Sequence, residues 1–212
     1  MAAAAKGAGI ELPPLNIQTL KVTLIGDSPL IVHAWSPKAI EMMASKQQKK
    51  ATAGREAKDP WADFCGSMYW LSDRPDAPTE ADVEAAQFGF PAIAFKAAAV
   101  TACTSIGSVT KVAARQAFHV EGEFVTIKSP APPSMREDVC RVGMGTADLR
   151  YRGEWSTWSV ELLVKFNAGI MSAEQVVNLF ETAGFAVGVG EWRPERDGPY
   201  GRFHVARDGE AV

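Results

Sequence analysis

The segment from Trp155 to Phe166 alternates more clearly between apolar and polar residues than the rest of the chain. This period of two residues predicts a strand with one buried face. Ser172 and Gln175 then form a capping box, which predicts a helix that ends at Gly184. The residues expected on the buried face of the strand are Trp158, Val160, Leu162 and Val164.

Shorter patterns predict the other core elements. Leu20 to Ile25 is β-branched and alternating, which predicts a strand. Ala92 to Gly107 predicts a narrow, alanine-rich helix, residues 120–128 a strand or hairpin, and residues 201–206 the last strand. Without insertions, the order is strand, helix, strand, strand, helix, strand. This βαββαβ order is that of a ferredoxin-like (RRM-like) domain, an α+β fold with an antiparallel sheet backed by two helices.

Residues 38–87 and 129–153 do not fit this order, and we interpret them as an insertion and a finger or hairpin insertion in a single domain, 1–212. Leu30 to Val32 can resume the first strand beyond a bend. Ser36 and Pro37 suit the N-cap and the first position of a helix.

The first insertion divides into two tracts of opposite charge. Residues 38–58 contain six basic and two acidic residues, and their polar centre predicts mobility. Residues 59–87 contain seven acidic residues and Arg74 as the only basic one. Such tracts are usually solvated faces, but they also suit a subunit that docks head to tail on a copy of itself.

The composition excludes several classes of protein. A net charge of −3 is not that of a globally basic nucleic-acid binder, so any such binding requires a local basic stripe. Cys65, Cys103 and Cys140 are far apart and form no C-x-x-C pair, which argues against a zinc site or a disulfide framework. No apolar run approaches the roughly 18 residues of a membrane span. We therefore expect a cytoplasmic protein without cofactor, metal or membrane contact.

Five glycines lie between residues 184 and 201, just before the last predicted strand. Closely spaced glycines let a backbone approach a ligand, and free amide groups can bind phosphate oxygens. Arginines suit phosphates, and aromatic rings can stack on bases. The alternative is a long loop with solvated charges, because Glu191, Glu195 and Asp197 balance its arginines. The candidate binding residues here are Gly188, Gly190, Trp192, Arg193, Arg196, Gly201 and Arg202.

Three separated motifs resemble those of RAMP-type proteins, the RRM-like subunits of CRISPR effector complexes. They are SPLI at residues 28–31, FPAIAFKAA at 90–98, and GVG followed by R and GPYGRF between 188 and 203. The resemblance covers residues 20–206 and is closest to the backbone subunit. It implies copies that polymerise along a single RNA strand, with an inserted thumb.

The resemblance has departures as well. The family's arginine near the next turn of the first helix is Val100 here, and the small residue after the lysine is Ala97. Lys96 is therefore the phosphate contact that the resemblance implies on this helix. Lys49 and Lys50, in the basic tract, are further candidates for contact with the strand.

The segment from Arg136 to Gly153 predicts either a mobile finger that wedges between bases or an ordinary surface hairpin. Met144 and Gly145 lie at its centre. The candidate nucleic-acid contacts are its four arginines, Arg136, Arg141, Arg150 and Arg152.

Asp27 and His33 are weak candidates for catalysis, and the resemblance to RNA-cleaving relatives is the reason for considering them. A carboxylate in the turn after the first strand can position a metal ion or a 2′-hydroxyl, and a histidine can act as a general acid or base. More often, an aspartate in such a turn caps the turn itself, and a lone histidine between apolar residues contributes to packing.

The sequence thus favours a binding protein over an enzyme. We expect a single-stranded RNA- or DNA-binding subunit, RNA preferred, that assembles head to tail into a filament, with other effector subunits as further partners. The alternatives are a RAMP-type endoribonuclease and a phage- or mobile-element-encoded decoy that uses the same fold for protein interaction.

Overall fold

The computed structural model describes residues 14–48, 57–107, 109–142 and 145–210. Its elements in chain order are β1 (Ile17–Gly26), β2 (Leu30–Val32), α1 (Pro37–Gln47), α2 (Pro60–Gly66), β3 (Tyr69–Trp70), α3 (Glu80–Ala85), β4 (Phe88–Pro91), α4 (Ala92–Ile106), α5 (Lys111–Ala117), β5 (Phe118–Val120), β6 (Phe124–Thr126), β7 (Ser134–Val142), β8 (Thr146–Trp155), β9 (Ser159–Asn167), α6 (Ala173–Ala186), a 3₁₀ turn (Pro194–Arg196) and β10 (Phe203–Val205).

The largest sheet has four antiparallel strands in the order β10-β1-β9-β5. Strand β1 pairs with β9 from Ile17 opposite Asn167 to Ile25 opposite Ser159. Two smaller antiparallel sheets have the orders β2-β8-β7 and β3-β4-β6. The prediction of an α+β protein with antiparallel sheets is confirmed.

Helices α4 and α6 pack against each other and contact the strands β5 and β10, respectively. Alanines dominate the buried side of α4, so this helix can lie close to its neighbours. The core beneath contains Leu24, Phe95, Leu162 and Phe180, which are fully buried. Burial of each such side chain stabilises the fold by about 1.5–3 kcal/mol.

Local signals placed several element ends correctly. Ser172 and Gln175 form the predicted capping box of α6. Gly107, with φ of 72°, ends α4 in the left-handed conformation. Gly184, however, does not end α6: it lies inside the helix, where a Cβ would overlap the carbonyl oxygen of Phe203. Close packing against β10, and not helix termination, explains that glycine.

Other sequence predictions differ from the structure in the extent of a strand or in the sheet to which it belongs. The segment from Trp155 to Phe166 is not one strand, because the chain turns at residues 156–158 between β8 and β9. Strand β2 does not extend β1 but pairs with β8 in a different sheet. Residues 120–128 contribute to two sheets, through β5 and β6, and α5 was not predicted.

The two predicted insertions have regular structure where they are described. Residues 38–87 include α2 and α3, and residues 129–153 form the hairpin of β7 and β8. Mobility was predicted for the basic tract, residues 38–58, and above all for its polar centre, residues 45–58. The structure places residues up to Gln47 in α1, and residues 49–56 lie outside the described residues. Within the described ranges, no helix is both long and apolar enough to cross a membrane.

Candidate nucleic-acid interface

The glycine-rich segment after α6 folds into a loop that is hydrogen-bonded mainly to the protein itself. The backbone amide of Val189 donates to the carbonyl of Gly201, whose own amide donates to the carbonyl of Pro29. The amide of Glu191 donates to the carbonyl of Ile31, and that of Tyr200 to the carbonyl of Trp192. Most amide groups between residues 188 and 202 are used in this way. The loop therefore does not present the row of free amides that a phosphate nest requires.

The glycines of this loop are required by the protein's own backbone. A Cβ on Gly190 would lie 2.5 Å from the carbonyl oxygen of Ile31. One on Gly198 would overlap the carbonyl of Trp192, and one on Gly201 that of Val189. Gly188, Gly190 and Gly201 also have φ between 64° and 78°, which disfavours other residues. Close approach is thus real, but its partner here is protein backbone.

A cleft of about 420 Å³ lies between this loop and α4. Small residues of α4, Ala94, Ala97, Ala98 and Thr101, form one wall. The loop from Val187 to Glu191, with Arg193, forms the other. The rest of the lining consists of His33, Tyr69, Phe90, Pro91 and Glu195. This volume is within the range of small-ligand sites and can hold a nucleotide-sized group.

Glu191 is a half-buried carboxylate of the cleft with a histidine and an arginine close by. Its carboxylate lies 3.6 Å from Nδ1 of His33 and 3.7 Å from Nη2 of Arg152. The adjacent imidazole of His33 holds the pKa of Glu191 below its usual value despite burial, with Arg152 contributing. Burial, together with this charge, raises the pKa of Tyr69. The cleft thus combines a carboxylate, an imidazole and a neutral phenol.

The three arginines of the loop differ in availability. Arg193 donates to Glu195 at 2.8 Å and to the carbonyl of Gly190 at 3.1 Å, so its guanidinium is already engaged. Arg196 and Arg202 are exposed and form no ion pair with a described residue. Trp192 is also exposed, with 43% of its surface accessible. The side chains available for contact with a nucleic-acid strand are therefore those of Arg196, Arg202 and Trp192.

Two of the four arginines predicted in the finger hold the protein together instead. Arg136 donates to Glu154 at 2.6 Å and to Asp138 at 2.9 Å, and its guanidinium lies 4.6 Å from the ring centre of Tyr200. Arg152 is 3% exposed and donates to Asp138 at 3.0 Å. These arginines connect the β7–β8 hairpin to the glycine-rich loop. Their predicted contact with bases does not fit this arrangement.

The other two hairpin arginines face solvent more openly. Arg141 is exposed, and Nε of the half-buried Arg150 lies 3.6 Å from Asp148. Gly145 has φ of 113°, as a tight hairpin end requires. Met144 lies outside the described residues.

Lys96 lies on α4 but does not line the cleft. Its Nζ is 3.1 Å from Nδ1 of His119 and 5.9 Å from the ring centre of Phe118. Burial lowers the pKa of this lysine. The structure thus separates Lys96 from the glycine-rich loop with which the resemblance groups it. Lys49 and Lys50 lie outside the described residues.

The two weak catalytic candidates have different surroundings. Asp27 accepts from Nδ1 of His204 at 2.6 Å, and Nε2 of the same ring is 3.1 Å from Glu210. Asp27 thus belongs to a small ion cluster at β10. His33, in contrast, opens into the cleft beside Glu191. The described residues contain no group of three or more side chains arranged to hold a metal ion.

Sequence patterns did not identify Tyr69 or Glu191 as parts of a site. Tyr69 is far from the loop in sequence, and Glu191 was interpreted only as a charge that neutralises arginines. The closely spaced glycines are the one sequence signal near this site, because they indicated close approach of the backbone to a partner. No protein-family model matches the chain, and no curated protein is similar to it.

Proposed function

We propose that this protein binds single-stranded nucleic acid, RNA in preference to DNA, as a RAMP-like subunit whose copies assemble side by side along the strand. The proposal includes a ferredoxin-like core formed by β1, α4, β5, β9, α6 and β10. In support, the sheet order β10-β1-β9-β5 corresponds to 4-1-3-2. Helix α4 lies between β1 and β5 in the chain, and α6 lies between β9 and β10.

The cleft between the glycine-rich loop and α4 is the observation that carries the proposal. It is concave, nucleotide-sized and bordered by the loop on which Arg196, Arg202 and Trp192 are exposed. We assign phosphate contacts to the two arginines and base stacking to Trp192. The cleft accepts one base or sugar of the bound strand.

The open face of the large sheet supports this choice of surface. An RRM usually stacks bases on aromatic residues of its sheet. In the described strands of this sheet, the outward positions carry no Phe, Tyr or Trp. They include Thr19, Lys21, Thr23, Ile25, His119, Glu161, Leu163, Lys165 and His204. Two of the lysines are paired with Glu161 and Glu121. We therefore assign the contact with the nucleic-acid strand to the glycine-rich loop and not to the sheet.

A salt titration of binding tests the proposal on two unrelated RNA oligonucleotides. Arg196→Ala/Arg202→Ala should weaken binding equally for both sequences and flatten the slope of log K against log salt by about 1.4, or roughly 0.7 per phosphate contact. Arg115→Ala, at an exposed position on α5, is the matched control and should leave the slope unchanged. An unchanged slope in the folded double variant would favour the decoy function.

Endoribonuclease activity is the second candidate, because His33 and Glu191 lie together in the cleft. A histidine oriented by a carboxylate can remove the proton from a 2′-hydroxyl as the general base. Incubation of end-labelled RNA with wild type and His33→Gln tests this function. Cleavage that the substitution abolishes would support it, and intact RNA with retained binding would exclude it.

A further inference from the structure

Helix α1 presents apolar side chains to solvent. Ile40, Met42 and Met43 are 53%, 54% and 41% exposed, and Trp35, just before the helix, is 70% exposed. The helix makes no extensive contact with any other described helix or strand. Exposed apolar groups in one segment mark interaction surfaces, and methionine suits adaptable contacts.

A groove of about 200 Å³ elsewhere on the molecule has the complementary chemistry. Its apolar lining comes from α2, α3 and the start of β7 and includes Phe64, Val83 and Met135. Glu80 and Glu84 also line it and are exposed. They are four residues apart on α3, so they lie on one side of that helix.

We propose that α1 of one copy docks in this acidic groove of a second copy. The charge argues for this occupant, because α1 itself contains Lys38 and Lys46 against Glu41 and belongs to a tract, residues 38–58, with a net charge of +4. Helices α2 and α3 of the groove belong to residues 59–87, which have a net charge of −6. An apolar helix segment with basic residues thus meets an apolar groove with an acidic border, in the helix-in-groove mode. This inference rests on the proposed function for its role, since it supplies the contact between copies on a strand.

The helix and the groove are different surfaces of the same chain, so their contact is heterologous. Each added copy leaves a helix free at one end and a groove free at the other, which produces an open-ended assembly. One short helix in one groove lies at the low end of interface sizes, so we expect micromolar affinity without nucleic acid. Salt should weaken the contact because opposite charges contribute to it.

Sedimentation velocity over a concentration series tests the interface with two variants of the full chain. Ile40→Asp/Met43→Asp changes the helix and leaves the groove intact. Glu80→Lys/Glu84→Lys changes the groove and leaves the helix intact. Each variant alone should remain monomeric where wild type associates. Their mixture should form a heterodimer and nothing larger, because one intact helix meets one intact groove.

Two matched controls occupy exposed sites elsewhere. Val112→Asp on α5 introduces a charge at an exposed apolar position, and Glu174→Lys reverses an acidic residue in the first turn of α6. Both should associate like wild type. Circular dichroism melting curves verify that every variant is folded.

Several outcomes would overturn the inference. A wild type that is monomeric at all concentrations contradicts it, as does association of both interface variants like wild type. A mixture without heterodimer contradicts the pairing of this helix with this groove, as does evidence that α1 docks in the groove of its own chain. Binding to a short RNA that accommodates a single copy separates this inference from the proposed function. The interface variants should bind this RNA like wild type. If wild type itself does not bind it, the proposed function is rejected but the helix-in-groove contact is not.

Discussion

Arg152 and Asp138 are the charged side chains that the described part of the chain buries, and they face each other at 3.0 Å. Without Arg152, Asp138 loses this partner and keeps the ion pair with Nε of Arg136 at 2.9 Å. Arg152→Ala should therefore lower the free energy of unfolding by about 1.5–3 kcal/mol in denaturant titrations, as expected for a lost hydrogen bond to a charged group. Arg150→Ala, at a half-exposed position on the same strand, should cost less than about 1 kcal/mol. Equal costs would show that Arg152 has no special structural role.

His204 connects β10 to the turn after β1 through Asp27 and to the turn at residues 207–210 through Glu210. Burial by itself lowers the pKa of His204, but the hydrogen bonds to the two carboxylates outweigh it and raise the pKa above 6.5. The stabilisation is therefore complete below the unfolded value and is lost as the pH rises through the folded pKa. The stability difference between wild type and His204→Gln should shrink over that rise. A difference that is constant with pH in urea titrations would contradict this assignment.

The glycine-rich loop offers a test at the level of one element. Gly201 has φ of 64°, and a Cβ there would overlap the carbonyl oxygen of Val189. Gly201→Ala should cost at least about 3 kcal/mol, because overlap adds to the conformational strain. Gly209 has φ of 81° but no atom near the Cβ position, so Gly209→Ala should cost only about 1–2 kcal/mol. Similar melting temperatures for both variants would show that the loop relaxes around the added group.

The same geometry changes how mutations in this loop must be interpreted. Gly190→Val blocks any ligand that approaches the backbone, but it also brings a side chain against the carbonyl of Ile31. A loss of binding in that variant would therefore reflect misfolding as well as a blocked ligand. Arg196 and Arg202 are better positions for a test of binding, because their side chains are exposed.

At the scale of the whole molecule, one apolar core connects the three sheets. It includes Leu24 of the large sheet, Leu30 and Trp155 of the second, and Phe88 of the third. A shared core predicts a single cooperative unfolding transition. Melting curves from far-ultraviolet circular dichroism and tryptophan fluorescence should therefore coincide. Two separated transitions would indicate that the predicted insertions unfold independently of the large sheet.

Much of the local structure was predictable from the sequence. Strand β1, the capping box of α6 and the glycine that ends α4 all depend on neighbours within a few residues. Such interactions are short in range, so their residue patterns are present in the sequence itself. The α+β class followed from the order of these elements.

The candidate site was decided by tertiary structure. Arg136, Arg150 and Arg152 are identical in type, but their partners on β7, β8 and the loop determine which of them solvent can reach. Tyr69 and Glu191 reach one cleft from distant parts of the chain. The glycines have the composition of a ligand loop, yet their close contacts are with the protein's own backbone. A sequence pattern shows which close contacts a residue permits, whereas only the packing of distant segments determines which partner makes them.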